Sequence, residues 1–194
     1  MTKHKDPLPV LLCESKQAWH QWLEHYGSTS QGVRLQIAKK KSGVITVSYD
    51  EALESALCYG WIDSQKEVCD EFTWLQRFTP RGKKSIWSKV NVDKAERLIS
   101  EGLMRTAGLK TIEEAKLDGR WDKAYLSQSK ATVPEDLAAA LGNNPKAKAF
   151  FEGLNATNRY AILFRINNVK KQETRERKIQ QFVTMLENGE TIYS

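Results

Sequence analysis

The sequence predicts an α+β fold: an N-terminal domain with a small antiparallel sheet and packed helices, then an all-helical C-terminal module. Three observations predict it. Short runs that alternate apolar and polar residues, the period of a half-buried strand, occur only in the first 80 or so positions. Beyond about residue 130 every apolar pattern has helical spacing. Between the two regimes, Ser127-Gln128-Ser129-Lys130-Ala131-Thr132 is a polar, small-residue stretch that reads as a linker. The domains are therefore expected at 1–130 and 131–194.

The elements follow in order. Residues 8–13 read as a short strand. Ser15 caps a helix to about Tyr26, with Ala18, Trp19, Trp22, Leu23 and Tyr26 on one stripe and Gly27 as terminator. Val33, Leu35 and Ile37 alternate with Arg34 and Gln36, which marks a strand over 32–38. Lys39-Lys40-Lys41-Ser42-Gly43 reads as a charged turn, with 44–47 as the return strand. Ser48 and Glu51 have capping-box spacing, so a helix starts there and stops at Gly60. Residues 61–66 and 72–78 read as two strands around a polar turn, and Pro80, having no amide hydrogen, ends the ladder. Asn91 is expected to cap a helix ended by Gly102, and another helix covers 109–117. In the C-terminal module, Thr132 to Glu135 reads as a capping box with Pro134 in the first turn. Asn144-Pro145 and Asn155 open two more helices. The last covers 174–187, with Ile179, Phe182, Val183 and Leu186 at helical spacing.

Composition sets the outer bounds. The 194 residues are 40% hydrophobic and 28% charged, enough apolar content for a core and too polar for a membrane-inserted chain. The longest apolar runs are only a few residues, so no membrane insertion is expected. Residues 1–7 carry basic groups but no long apolar stretch follows, which points to a cytoplasmic location. Cys13, Cys58 and Cys69 are odd in number and lack CxxC spacing, the profile of free thiols in a reducing compartment. His4, His20 and His25 form no metal-ligand spacing with them, so neither a metal nor a cofactor is expected.

The net charge of +6 is concentrated. Residues 72–92 hold five basic side chains (Arg77, Arg81, Lys83, Lys84, Lys89) and no carboxylate, with Trp74, Phe78 and Trp87 among them. The preceding segment 50–71 holds seven acids and one lysine. Arg81, between Pro80 and Gly82, offers a planar fork of donors suited to phosphate or carboxylate. Trp61 and Trp87 have faces suited to a flat ligand, or equally to a core. Ser85, Ser88 and Asn91 are short polar groups beside Trp87, and Asp63 stands within an apolar strand. Trp61, Asp63, Arg81, Ser85, Trp87, Ser88 and Asn91 thus form the candidate ligand-binding set. Its competitor is internal: Arg81 paired with Asp63 or Glu71, and the tryptophans packed in the core. The partner implied is an anionic small molecule or an acidic protein segment. Nucleic acid is the alternative on charge and aromatics, and an enzyme with Asp63 as base and Arg81 holding an anionic substrate is the third reading. No phosphate-loop, dinucleotide, zinc-protease or Ser-His-Asp pattern is present, so no catalytic residue is assigned and a non-enzymatic binding protein is expected.

Several motifs together carry a resemblance. They are Ala56-Leu57-Cys58-Tyr59-Gly60-Trp61-Ile62-Asp63, Arg77-Phe78-Thr79-Pro80-Arg81, Ser85-Ile86-Trp87-Ser88-Lys89-Val90-Asn91 and Leu98-Ile99-Ser100-Glu101-Gly102-Leu103-Met104. Ala115-Lys116-Leu117-Asp118-Gly119-Arg120-Trp121 continues the series, and a helical module over 134–189 completes it, with Lys170 and Glu173-Thr174-Arg175 in its turn. In this order they resemble the YdeI/OmpD-associated family, also labelled bacteriocin-protection proteins. The resemblance implies the two-part α+β organisation and a role in stress or bacteriocin tolerance. It implies no catalytic residues.

Overall fold

The computed structural model describes residues 8–194. The reading of residues 1–7 as a basic lead, and His4 with it, lies outside them. The chain divides into two units. The first runs up to Trp87 and resumes over Asn91–Ala124; the second comprises Ser88–Val90 and Tyr125–Ser194.

The first unit is built on a four-stranded sheet of order β1-β2-β4-β3. Its strands are β1 (Val10–Leu12), β2 (Val33–Ala38), β3 (Trp61–Val68) and β4 (Thr73–Pro80). The sheet is mixed where the sequence reading made it antiparallel. β2 pairs antiparallel with β4, and β4 with β3, but β1 runs parallel to β2. The reason is the helix α1 (Lys16–Tyr26) between them: a strand–helix–strand connection brings the chain back in the same direction. No strand forms at 44–47 either. Both edges of β2 are already taken, so Thr46 Oγ1 instead accepts the Ala38 amide at 2.9 Å and the Val47 amide reaches the Cys13 carbonyl at 2.8 Å.

α1 is capped as its sequence demands, with Ser15 accepting from the Ala18 amide. α2 (Tyr49–Cys58) opens with a complete Ser48/Glu51 capping box. Gly60, at φ 73°, then turns the chain sharply into β3, a left-handed conformation that disfavours any side chain. α3 (Lys89–Ser100) begins two residues before Asn91, so Asn91 lies in the first turn and is not the cap. α4 (Thr106–Leu117) packs close to the end of α2 through Gly108, where an added Cβ would come within 2.8 Å of the Leu57 carbonyl oxygen.

The core of this unit joins the buried face of β2 to both early helices. Trp19, Leu23, Leu35, Trp61, Phe78 and Leu98 are almost wholly buried in it. Trp19 stacks on Trp22 with centroids 5.3 Å apart and meets Trp61 edge-on at 6.3 Å. The Trp19 and Trp61 indoles find acceptors, Trp19 at the Ala52 carbonyl and Trp61 at the Gly27 carbonyl, each at 3.0 Å.

The second unit is helical: α5 (Glu135–Gly142), α6 (Pro145–Gly153), α7 (Ala156–Asn167) and α8 (Gln172–Glu187), preceded by a 3₁₀ turn at Gln128–Lys130. Asn144 and Asn155 cap α6 and α7 through their side chains. The expected box at Thr132 does not form, because Pro134 takes the cap position and makes no side-chain bond. Leu137, Leu141, Phe151, Ile162, Phe182 and Leu186 are among its core. Arg175 ties α8 to α5 with two hydrogen bonds to the Asp136 carboxylate, which hold that carboxyl below its ordinary range. No helix among the described residues is long and apolar enough to cross a membrane.

Candidate functional site

The carboxylate-free segment forms β4, a loop over 81–88 and the start of α3. The loop is held from inside. Arg81 donates from its guanidinium to the Ile86 carbonyl at 3.1 Å, and Arg120 donates to the adjacent Ser85 carbonyl at 2.8 Å. The Arg81 backbone amide bonds the Gly60 carbonyl at 2.9 Å, and a turn from Ser85 to Gly82 closes the tip. The Arg81 guanidinium also lies 3.6 Å over the Trp87 ring, while Trp121 meets that ring edge-on at 4.8 Å. Two guanidiniums therefore grip successive carbonyls of a loop whose tip carries the exposed Lys83 and Lys84.

The candidate residues divide accordingly. Trp61 and Trp87 are each 1% exposed, so neither offers a face to a ligand in this conformation. Asp63, half-buried on β3, accepts a hydrogen bond from the Tyr49 hydroxyl at 2.8 Å. Ser85 is half-buried in the loop, with its carbonyl held by Arg120. Asn91 is half-buried in the first turn of α3. Ser88 groups with the second unit, where it forms an isolated bridge to Tyr125. Arg81, Ser85 and Trp87 are thus brought together by the loop.

Three acids of the preceding segment find cations elsewhere. Asp50 pairs with Lys94, Glu67 with Arg34, and Glu54 gathers Lys16, Lys94 and Arg97. Asp70 is absorbed in its own turn, accepting from the Phe72 and Thr73 amides and the Thr73 hydroxyl, which keep its carboxyl below the usual range. Neither Lys83 nor Lys84 pairs with a carboxylate among the described residues.

A second place in the first unit went unnoticed in the sequence: a cleft of about 180 Å³ beside α2. α1 contributes Lys16 and His20 to it, and α2 contributes Glu54, Ser55 and Cys58. Leu98 of α3 and the turn residues Gly102, Leu103 and Arg105 complete the wall. His20 Nε2 is 3.1 Å from the Arg105 guanidinium and 3.0 Å from the Tyr59 hydroxyl. Arginine only donates, so Nε2 accepts and the imidazole proton sits on Nδ1. Burial, and then the Arg105 charge, hold the His20 pKa below its ordinary value. Burial raises the Cys58 thiol to about 11, so it is protonated and inert. Ser55 is 1% exposed, and its hydroxyl has no partner among the described residues. No local pattern signals this cleft, since its residues come from three separate stretches of chain.

Comparison with known proteins divides the chain in two. Residues 11–111 match the family model described as Domain of unknown function (DUF8412). Residues 130–189 match the model described as Bacteriocin-protection, YdeI or OmpD-Associated, in agreement with the resemblance read from the sequence over that stretch. The motifs quoted between Ala56 and Met104 fall under the first model. Neither the curated proteins nor the solved structures gave a significant match.

Proposed function

Because the chain belongs to the family described as Domain of unknown function (DUF8412) and carries a YdeI/OmpD-associated module behind it, we propose that it is a binding protein and not a catalyst. Its ligand is an acidic segment of a partner, received at the 81–87 loop. The observation that carries this reading is the clasped loop. Lys83 and Lys84 project from a backbone fixed by Arg81 and Arg120, while three of the neighbouring acids are engaged with Lys16, Arg34, Lys94 and Arg97. A fixed backbone loses little conformational freedom when its lysines meet an anion, and a positive local field speeds encounter.

Among the sequence candidates, Arg81, Ser85 and Trp87 serve here as the frame of the loop. Burial of both tryptophans favours an extended acidic partner over a flat small molecule that needs an open ring. Asp63, bonded to Tyr49, fits an anchoring role better than that of a general base. The cytoplasm is the setting that suits free thiols, and a role in stress or bacteriocin tolerance enters from the family description alone.

The test is fluorescence anisotropy of a labelled oligoglutamate peptide and, beside it, a single-stranded oligonucleotide, at low and physiological salt. The Lys83→Glu/Lys84→Glu double variant is expected to bind the peptide at least about tenfold more weakly with an unchanged circular dichroism spectrum. Equal peptide binding by the variant and the parent protein removes the proposal. Oligonucleotide binding that outcompetes the peptide and falls steeply with salt replaces it with the nucleic-acid reading.

A further inference from the structure

The cleft beside α2 shares no residue with the basic loop and does not depend on the reading given to it. We propose that it binds a small organic anion: one carboxylate on a compact apolar body of about the size of benzoate.

Size comes first. The cleft holds about 180 Å³. An apolar cavity of about 150 Å³ is enough to take up benzene, so a ring with one small polar substituent fits the available space. The chemistry of the wall comes next. Leu98 and Leu103 give it apolar surface, and the Cys58 thiol, kept protonated by burial, behaves as another small apolar group. Leu103 remains 45% exposed at the rim, where the body of a ligand would cover it.

Charge decides the sign of the ligand. Lys16 and Arg105 line the cleft, with Glu54 as the opposing carboxylate. Lys94 and Arg97 also reach Glu54 but are shared with Asp50 and Glu101, so the sign is set by the lining side chains themselves, where Lys16 and Arg105 outnumber Glu54. Arg105 meets His20 Nε2, a neutral acceptor, and Glu24 is the carboxylate that acts on its charge. A guanidinium bonded to an imidazole nitrogen has further donors to offer a carboxylate.

Ser55 is the independent sign that something polar is missing. A serine buried within a helix can return its hydroxyl to the carbonyl four residues earlier. Here the hydroxyl makes no such bond, although it is buried and its residue lines the cleft. A desolvated hydroxyl without a partner is a cost that an arriving carboxylate oxygen would remove. In this arrangement the carboxylate is received by Arg105, Lys16 and Ser55, and the ring lies against Leu98 and Leu103.

The experiment titrates benzoate, with benzamide as its neutral counterpart, into the full chain. Calorimetry gives the affinity and amide NMR spectra give the location. Benzoate is expected to saturate and to shift resonances of residues 16–20, 54–58 and 98–105. Benzamide and the Arg105→Gln variant should each bind at least about tenfold more weakly, the loss of one charge-assisted contact. Arg105→Lys should fall between, and Ser55→Ala should weaken benzoate while leaving the fold intact. Absence of saturation, equal affinity for benzamide, or shifts confined to 81–87 would each overturn the site. Should Arg105→Gln lose its fold, the benzamide contrast and Arg105→Lys decide the matter.

Discussion

His20 and Arg105 stand 85 positions apart in the sequence yet touch, and the histidine is a weaker base than usual. Burial is the main cause, followed by the Arg105 charge; Glu24 opposes it and Lys16 adds a smaller push in the same direction. The sign for stability follows from which state binds more protons. Below the ordinary histidine pKa of about 6.5 the unfolded chain protonates His20 while the folded chain does not. The contribution is therefore whole above about pH 6.5 and is lost as the pH falls from there through the lower folded value. Arg105→Gln is expected to move the His20 titration, followed by the imidazole proton resonances, back toward the ordinary value. An unmoved titration would leave burial as the sole cause. The sequence shows His20 only as one histidine on a helix, because nothing local announces a partner so far along the chain. Arg81 and Trp87 were more legible: adjacency to a strand-ending proline placed them on one loop, and their type left ligand and core roles both open. The structure puts them against each other, with the guanidinium stacked on the buried ring.

Elements were legible wherever a cap or a period is local. Ser15, Ser48, Asn144 and Asn155 cap the helices that their sequences announce, and β2 buries alternate residues as its pattern requires. The direction of β1 and the absence of a strand at 44–47 were not legible, since both depend on which edges of β2 are occupied. The start of α3 was missed for a similar reason: the Lys89 amide is taken by the Tyr125 carbonyl, a partner far along the chain. Helix α4 offers a test in which two local effects have opposite signs. In an open helix Gly108→Ala should stabilise by roughly 1 kcal/mol through propensity. Here the new methyl would meet the Leu57 and Cys58 carbonyl oxygens, which belong to backbone and cannot rotate away. Overpacking of this kind costs about 1–3 kcal/mol, so the clash is expected to win and the urea midpoint to fall. A rise in midpoint would mean that α4 can draw back from α2 at little cost.

At the scale of the whole molecule, the segregation of strands before helices was visible in the change of hydrophobic period, and it gives the two units separate cores. Strand order was not visible. β4 inserts between β2 and β3, a choice made by long-range pairing of faces and not by any residue in the turns. The same pairing has a kinetic and an optical consequence. β2 must find β4 across the whole of α2 and β3, and α8 must return to α5 and α6, but the turns of a helix are themselves local contacts and form faster than long-range strand pairs. All six tryptophans, at 19, 22, 61, 74, 87 and 121, lie in the first unit, and the second has tyrosine and phenylalanine but no tryptophan. Indole fluorescence is therefore a reporter of the sheet-bearing unit alone, while far-ultraviolet circular dichroism registers every helix. After dilution from urea, the dichroism is expected to regain part of its amplitude in a fast phase to which the fluorescence is blind. Superimposable traces would show instead that the helical unit waits for the sheet. The placement of six indoles thus gives the protein a built-in optical label on one half, with no probe attached.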